Sequence, residues 1–227
     1  MTTNNINIAL PQLDLLIFDT KKGRSYGSNQ QMYKIIWQRK SGCGPSTAAN
    51  LIMYSAYCNR HAELNANLCM ESNLPVTEDS MFFYMQKIWE YVTPGLGGVN
   101  KTSKFVKGVY RYALKRGLDL KLYAMDIPVD KKDTDVNLDS FLEFIRKGLE
   151  CGCPVAFLNL CRGALTNLDS WHWVSIMALY EAKGTFYATL YDEGGKKDID
   201  IKLWFETHTK DGGLVYFDPN LTEKITR

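Results

Sequence analysis

The chain has 227 residues, of which 45% are hydrophobic and 23% are charged, and its formal net charge is +2. This composition is typical of a folded protein with a sizeable core, built as one large domain or two small lobes. A charge so close to zero does not favour nucleic acid or a membrane as a partner. The apolar runs are far shorter than the roughly 20 residues of a membrane span, and the N-terminal residues do not follow the pattern of a secretory signal. We therefore predict a cytoplasmic protein with free thiols.

The first part of the chain is predicted to be mainly helical. Four segments show a helical repeat of apolar residues or helix-end signals: 46–57, 79–91, 102–116 and 137–152. Gly117 would end the third helix, because glycine readily adopts the left-handed conformation found after many helices. Asn137 would begin the fourth helix, because its side chain can accept a hydrogen bond from the first turn. We expect residues 1–130 to form a mainly helical lobe.

Most strands are predicted in the later part of the chain. Short apolar runs bounded by turn residues mark them: 120–125, 154–160, 172–180, 185–195, 198–206 and 212–217. Their short connections favour antiparallel pairing, and residues 181–184 are predicted to turn a hairpin. The sequence thus predicts an α+β fold in a single domain over 1–227, with a mainly β-sheet lobe at 131–227.

Cys43 stands between two glycines at the start of the first predicted helix. A helix N-terminus and a nearby imidazolium both favour the reactive thiolate form of a cysteine. Pro45 suits an early helical position, and Gly42 and Gly44 would leave space beside the sulfur for a substrate backbone. The backbone N–H of Cys43 would face a developing oxyanion. Cys43 is therefore the predicted nucleophile.

A histidine is the expected base for such a thiol, and the chain has three. His61 lies in a polar stretch after the first predicted helix, and His208 lies in what is interpreted as an exposed turn. His172 opens the predicted hairpin between two tryptophans, which would fix its orientation and limit its contact with water. We predict His172 as the base.

The predicted hairpin also supplies a residue to orient the imidazole. Its second strand returns Asp192 close to His172, where a carboxylate would accept the second ring N–H and fix the tautomer. A slip of one residue in register would turn Asp192 away, so Glu193 is the alternative. Gln38, five residues before Cys43, is predicted to donate a second hydrogen bond to the oxyanion.

Together, these motifs resemble the papain-like cysteine peptidase superfamily, most closely its bacteriocin-leader (double-glycine) peptidase-like branch. The residues that carry the resemblance are Gln38, SGCGPS at 41–46, WHWVSI at 171–176 and LYDEGGKK at 190–197. The glutamine usually stands six residues before the cysteine, whereas Gln38 stands five before. Glu193 follows the acidic residue where the family usually has Pro or Gly.

The resemblance implies a papain-like fold, with a central nucleophile helix packed against an antiparallel sheet. It implies hydrolysis of a peptide or protein substrate through a thioester acyl-enzyme, with Cys43 as nucleophile, His172 as base and Asp192 as orienting residue. Gln38 would be the oxyanion donor, and no cofactor would be required.

Other functions remain open from the sequence. The same residues could transfer an acyl group to another amine or cleave a non-peptide amide. An inactive binding protein could retain the cleft, and in an unrelated structural domain Cys43 would be buried and inert. Cys151, Cys153 and Cys161 lack the spacing of paired zinc ligands, so we predict no metal site.

Overall fold

The computed structural model describes residues 6–58, 75–132 and 134–225. Its α-helices are α1 (Ile36–Ser41), α2 (Cys43–Cys58), α3 (Glu78–Trp89), α4 (Thr102–Lys115), α5 (Leu138–Glu150) and α6 (Ile201–Thr207). Its strands are β1 (Asn7–Ala9), β2 (Ile17–Thr20), β3 (Gly23–Tyr26), β4 (Leu118–Ile127), β5 (Val155–Asn159), β6 (His172–Ala182), β7 (Thr185–Asp192), β8 (Gly195–Asp200) and β9 (Gly212–Lys224). Two short 3-10 helices cover Leu13–Leu16 and Gln30–Met32.

One antiparallel sheet organises most of these elements. Its strands follow the order β4-β9-β5-β6-β7-β8, and β1 pairs with residues 178–180 of β6, beyond the end of β5. Strands β2 and β3 form a separate hairpin. The predicted α+β fold with a mainly antiparallel sheet is therefore confirmed. The division near residue 130 does not separate helices from strands, since β1–β4 precede it and α5 and α6 follow it.

Helix α2 lies at the centre of the molecule, and every residue from 44 to 56 is buried. A helix that is covered on all sides must be packed by other elements, and α2 contacts both β6 and α3. A buried hydrogen-bond chain ties it to the sheet: Ser28 N donates to Asn50 Oδ1 at 2.8 Å, and Asn50 Nδ2 donates to Ser175 Oγ at 3.0 Å. This chain fixes the position of α2 against β6.

The predicted helix ends agree well with the structure. Asn137 Oδ1 accepts a hydrogen bond from Ser140 N at 2.9 Å, and Ser140 Oγ accepts one in return from Asn137 N, which forms a capping box. Gly117 follows the end of α4 with a φ of +75°, the conformation that glycine adopts at little cost.

The predicted strand over 198–206 is wrong in its second half, where the chain forms α6. The side chain of Asp200 accepts a hydrogen bond from Leu203 N at 2.8 Å and so caps the helix. Trp204 is buried, and its indole N–H donates to Asn159 Oδ1 at 2.9 Å. The apolar run fits either a strand or a buried helix, and the cap together with the packing of Trp204 selects the helix.

His208 is also placed differently from the prediction of an exposed turn. It follows α6, is only 6% exposed and stacks on Trp204 with a ring separation of 4.6 Å. Packing of α6 against the sheet carries this histidine into the interior. His61 lies outside the described residues.

Candidate active site

Cys43 is the first residue of α2 and lies half-buried in a cleft of about 190 Å³. The space beside each flanking glycine is occupied by other atoms of the chain. A Cβ on Gly42 would lie 2.4 Å from Gln38 O, and one on Gly44 would lie 2.9 Å from Val99. The expectation that they leave space for a substrate is therefore wrong. They allow close packing around the start of the helix, which holds the Cys43 backbone in place.

His172 is the first residue of β6, and its two tryptophan neighbours hold it in different ways. Trp173 is 2% exposed, stacks on Phe105 at 4.4 Å and donates its indole N–H to Val99 O. Trp171 is 51% exposed and has a φ of +58°, which is uncommon for a residue other than glycine. The backbone of His172 is thus anchored on one side and sharply turned on the other.

The register of β6 and β7 places Asp192 against His172. Ser175 pairs with Tyr191, so Asp192 lies diagonal to His172 on the same face of the sheet. His172 Nε2 donates to Asp192 Oδ1 at 2.6 Å, and both side chains are almost fully buried. Glu193 turns away and accepts a hydrogen bond from Gln30, so the structure brings Asp192 rather than Glu193 to the imidazole.

Lys197 completes this group, and the sequence reasoning missed it. Its Nζ donates to Asp192 Oδ2 at 2.7 Å, and its side chain remains 31% exposed. After a tight turn in which Asp192 pairs with Gly195, Lys197 lies opposite Leu190 on the neighbouring strand. The Gly194-Gly195 pair in the sequence could have indicated Lys197, because a tight turn there returns the residues after it to the end of β7 that carries Asp192.

The charges of these groups follow from their contacts. Burial opposes the imidazolium, but hydrogen bonds to Asp192 and to the Cys43 side chain outweigh it and raise the pKa of His172 to about 10. Burial acts against the carboxylate of Asp192, but its contacts with His172 and then Lys197 hold its pKa below the usual value. At neutral pH, Cys43 therefore faces a positively charged imidazole backed by a carboxylate.

Gln38 is not part of this group in the structure. It lies buried in α1, where its amide and that of Gln86 on α3 exchange two hydrogen bonds of 3.3 Å. Of the described residues around the cleft, those that α1 contributes are Trp37, Lys40 and Ser41. The structure thus brings together Cys43, His172 and Asp192 and places the Gln38 side chain against α3.

His208 forms a second, different environment. Its Nε2 lies 3.3 Å from Lys131 Nζ, and its Nδ1 lies 3.2 Å from Trp204 O. Burial and the nearby lysine charge lower the pKa of His208. The described residues contain no cluster of His, Cys, Asp and Glu that could hold a metal ion. None of the described helices combines the length and apolarity needed to cross a membrane.

The solved structures that are similar to this one include the following two. The first is a double glycine motif protease from an AMS/PCAT transporter in complex with the leader peptide, a protein of the branch that the motifs resemble. It has 14% identity, the match covers 78% of this chain and 84% of that chain, and the TM-score is 0.32. The second is the Pseudomonas avirulence protein AvrPphB, with 11% identity, 77% and 90% coverage and a TM-score of 0.33. No family model and no curated protein matches the chain.

Proposed function

We propose that this protein is a cysteine peptidase that hydrolyses a peptide amide bond. The observation that carries the proposal is that Cys43, His172 and Asp192 line one small pocket, in which His172 is hydrogen-bonded to the buried carboxylate of Asp192. A nucleophile, a base and a group that orients the base are the parts that covalent acyl chemistry requires. The cleft reaches Cys43 at the start of α2, and His172 and Asp192 line a smaller pocket that Cys43 also borders.

The proposed reaction begins when the Cys43 thiolate attacks the carbonyl carbon of the substrate. Because His172 Nε2 is bonded to Asp192, the other ring nitrogen, Nδ1, would take the proton from the Cys43 thiol and donate it to the leaving amine. Protonation of the departing amine by the imidazolium leaves a thioester on Cys43. A water molecule deprotonated by His172 then attacks the thioester and releases the acid and the free thiol.

The oxyanion of each tetrahedral intermediate requires hydrogen-bond donors. We assign the first to the backbone N–H of Cys43, because the N-terminus of α2 directs its partial positive charge to this position. Gln38 remains the predicted second donor, and in that role its amide would turn away from Gln86. Comparing kcat of Gln38→Ala and Gln86→Ala tests this role. Removal of an oxyanion donor lowers turnover by about 10²-fold or more, so Gln38→Ala should be much slower than Gln86→Ala. If only the hydrogen bonds between Gln38 and Gln86 matter, the two variants should lose the same amount of activity.

Thiol labelling tests the proposal directly. The protein is treated with iodoacetamide at about pH 6, where ordinary thiols react slowly, and each adduct is located by mass spectrometry. We expect selective labelling of Cys43 that is lost in His172→Ala and retained in His208→Gln. Slow, uniform labelling of all cysteines would refute the enzymatic proposal. Digestion of a peptide library, with and without an added amine acceptor, then separates hydrolysis from acyl transfer.

A further inference from the structure

Helix α4 carries a row of five exposed basic side chains, which we name the basic stripe. Its members are Lys101, Lys104, Lys107, Arg111 and Lys115. They are spaced three or four residues apart, so they lie along one side of the helix over about 20 Å. The helix contains no acidic residue. The nearly neutral charge of the whole chain therefore conceals a concentrated positive surface.

The basic stripe is not neutralised by the fold. None of its members forms an ion pair with a carboxylate among the described residues. Helix α5 shows the contrast, since Arg146 there is paired with Glu143 at 2.6 Å and also with Glu150. Like charges three and four residues apart destabilise a helix, so the basic stripe does not contribute to the stability of α4.

The basic stripe begins at the edge of the cleft. Val99 and Asn100 line the cleft together with Cys43, and the next residue, Lys101, is the N-cap of α4. Lys104 Nζ donates to Asn100 Oδ1 at 2.9 Å, which joins the basic stripe to the cleft wall. A substrate peptide that leaves the cleft past Asn100 would therefore pass along α4.

We propose that the basic stripe binds an acidic segment of the peptide substrate, on one side of the bond that Cys43 attacks. This inference rests on the proposed peptidase function and specifies its substrate class. Charges at the rim of a binding site attract an oppositely charged partner over distance and mainly accelerate association. The basic stripe would thus select peptides with several Asp or Glu residues near the scissile bond.

The surroundings of the basic stripe favour a peptide over other anionic partners. Single-stranded nucleic acid is usually bound with exposed aromatic rings that stack on bases, whereas no fully exposed residue of α4 is aromatic and the exposed rings of Trp37 and Trp171 lie in the cleft. A helix that lies on a membrane inserts an apolar face, whereas the apolar residues Phe105, Val109 and Ala113 of α4 are buried in the core.

The test uses electrophilic peptides that alkylate Cys43 with loss of chloride. A C-terminal chloromethyl ketone carries four Glu residues before the reactive group, and an N-terminal chloroacetyl peptide carries four Glu residues after it. Each has a counterpart with four Gln residues. We expect one Glu probe to label Cys43 about tenfold faster than its Gln counterpart at low salt, and the gain to vanish at about 0.5 M salt.

Charge reversal on the basic stripe should remove this gain. In Lys107→Glu/Arg111→Glu, which leaves the contact of Lys104 with the cleft wall intact, the Glu and Gln probes should react equally, while uncharged chloroacetamide reacts as with the unaltered protein. The matched control Lys21→Glu/Lys22→Glu makes the same change in net charge on two exposed residues in the β2–β3 turn and should retain the gain. Equal rates for Glu and Gln in both probe directions, or equal loss in the control, would overturn the inference.

Failure of the two proposals can be told apart. If chloroacetamide does not prefer Cys43, the peptidase function fails, whatever the charged probes do. If chloroacetamide prefers Cys43 but the Glu extension gives no gain, only the substrate inference fails. Binding of a fluorescent oligoglutamate peptide to Cys43→Ala measures the basic stripe without any cysteine chemistry. Tighter stripe-dependent binding of a DNA oligonucleotide or phosphatidylserine vesicles than of oligoglutamate would assign the surface to another partner and overturn the proposal.

Discussion

Two buried histidines in this protein have similar exposure and opposite electrostatic environments. His172 at the start of β6 is 7% exposed, and His208 after α6 is 6% exposed. Each lies beside tryptophan, and each has fixed contacts through its ring nitrogens. Yet the pKa of His172 is raised to about 10, whereas that of His208 is lowered.

The difference arises from the charges that face each ring. His172 is bonded to the carboxylate of Asp192 and lies near the side chain of Cys43, and a negative charge on either group stabilises an imidazolium. His208 faces the ammonium of Lys131, which adds to the burial penalty on a second positive charge. Burial next to aromatic residues therefore does not identify a catalytic histidine, and the charge of its partner does. Of the two histidines that the structure describes, His172 alone has the partners that suit acid–base work on a thiol.

The largest expected effect separates the two histidines directly. We expect His172→Ala to lower peptide hydrolysis by about 10³-fold, because it removes both proton transfer and the charge that favours the thiolate. His208→Gln should change hydrolysis less than about threefold, since its contacts are with α6 and Lys131. The measurement is kcat/KM on a cleaved peptide, with circular dichroism to show that both variants are folded. Comparable losses in the two variants would contradict the distinction.

Asp192→Asn tests whether the carboxylate creates the difference. Asparagine preserves the size of the side chain but removes the charge that supports the imidazolium, so we expect about a 10²-fold loss of hydrolysis. The pKa of His172 should fall, and the alkaline limit of hydrolysis should move to lower pH, because the imidazolium must protonate the leaving amine. Glu193→Gln is the control, because Glu193 contacts Gln30 rather than His172. An unchanged alkaline limit in Asp192→Asn would show that Asp192 does not set the charge of the base.

The sequence predicted local features of the site better than its packing. The helix start at Cys43 and the return of Asp192 to His172 follow from short-range signals, namely a Gly-Cys-Gly-Pro motif and a hairpin. The pairing of Gln38 with Gln86 depends on how α1 meets α3, and nothing in their separate sequences specifies that contact. The unexpected role of Gly44 likewise depends on Val99, a residue from a distant loop.

The same distinction applies to the fold. Helices with a clear apolar repeat and a capping residue, such as α5 after Asn137, were predicted within a few residues. The apolar run within 198–206 suits a strand and a helix equally, which is why the sequence predicts a strand there, and only the cap from Asp200 and the burial of Trp204 decide between them. Tertiary packing thus also determined that His208 is buried.

Lys197→Met is expected to have a smaller effect than either preceding change. Its ammonium helps to hold the pKa of Asp192 below the usual value, so its loss should let the acidic limit of activity move to higher pH. We expect about a three- to tenfold loss of kcat/KM, because a partly exposed ion pair contributes about 1 kcal/mol and Lys197 acts on His172 only through Asp192. Lys197→Arg should restore the profile, and Lys196→Met, on the adjacent exposed residue, should leave it unchanged. If Lys197→Met and Lys196→Met have the same pH profile, the ion pair has no positioning role.

The two histidines should also act with opposite signs on the free energy of unfolding. Between about pH 6.5 and 10, folded His172 keeps a proton that the unfolded chain has lost, so the free energy of unfolding falls as pH rises through this window. Below about pH 6.5, the unfolded chain gains a proton at His208 that the folded state resists, so the free energy of unfolding falls as pH decreases. Each slope is limited to about 1.4 kcal/mol per pH unit.

Urea unfolding at about pH 5, 7 and 9 measures these slopes in the unaltered protein and in the two variants. His172→Ala should lose the decline in the free energy of unfolding at alkaline pH, and His208→Gln should lose the decline at acidic pH. Parallel pH curves for the two variants would mean that the charges facing these rings do not differ as their contacts indicate.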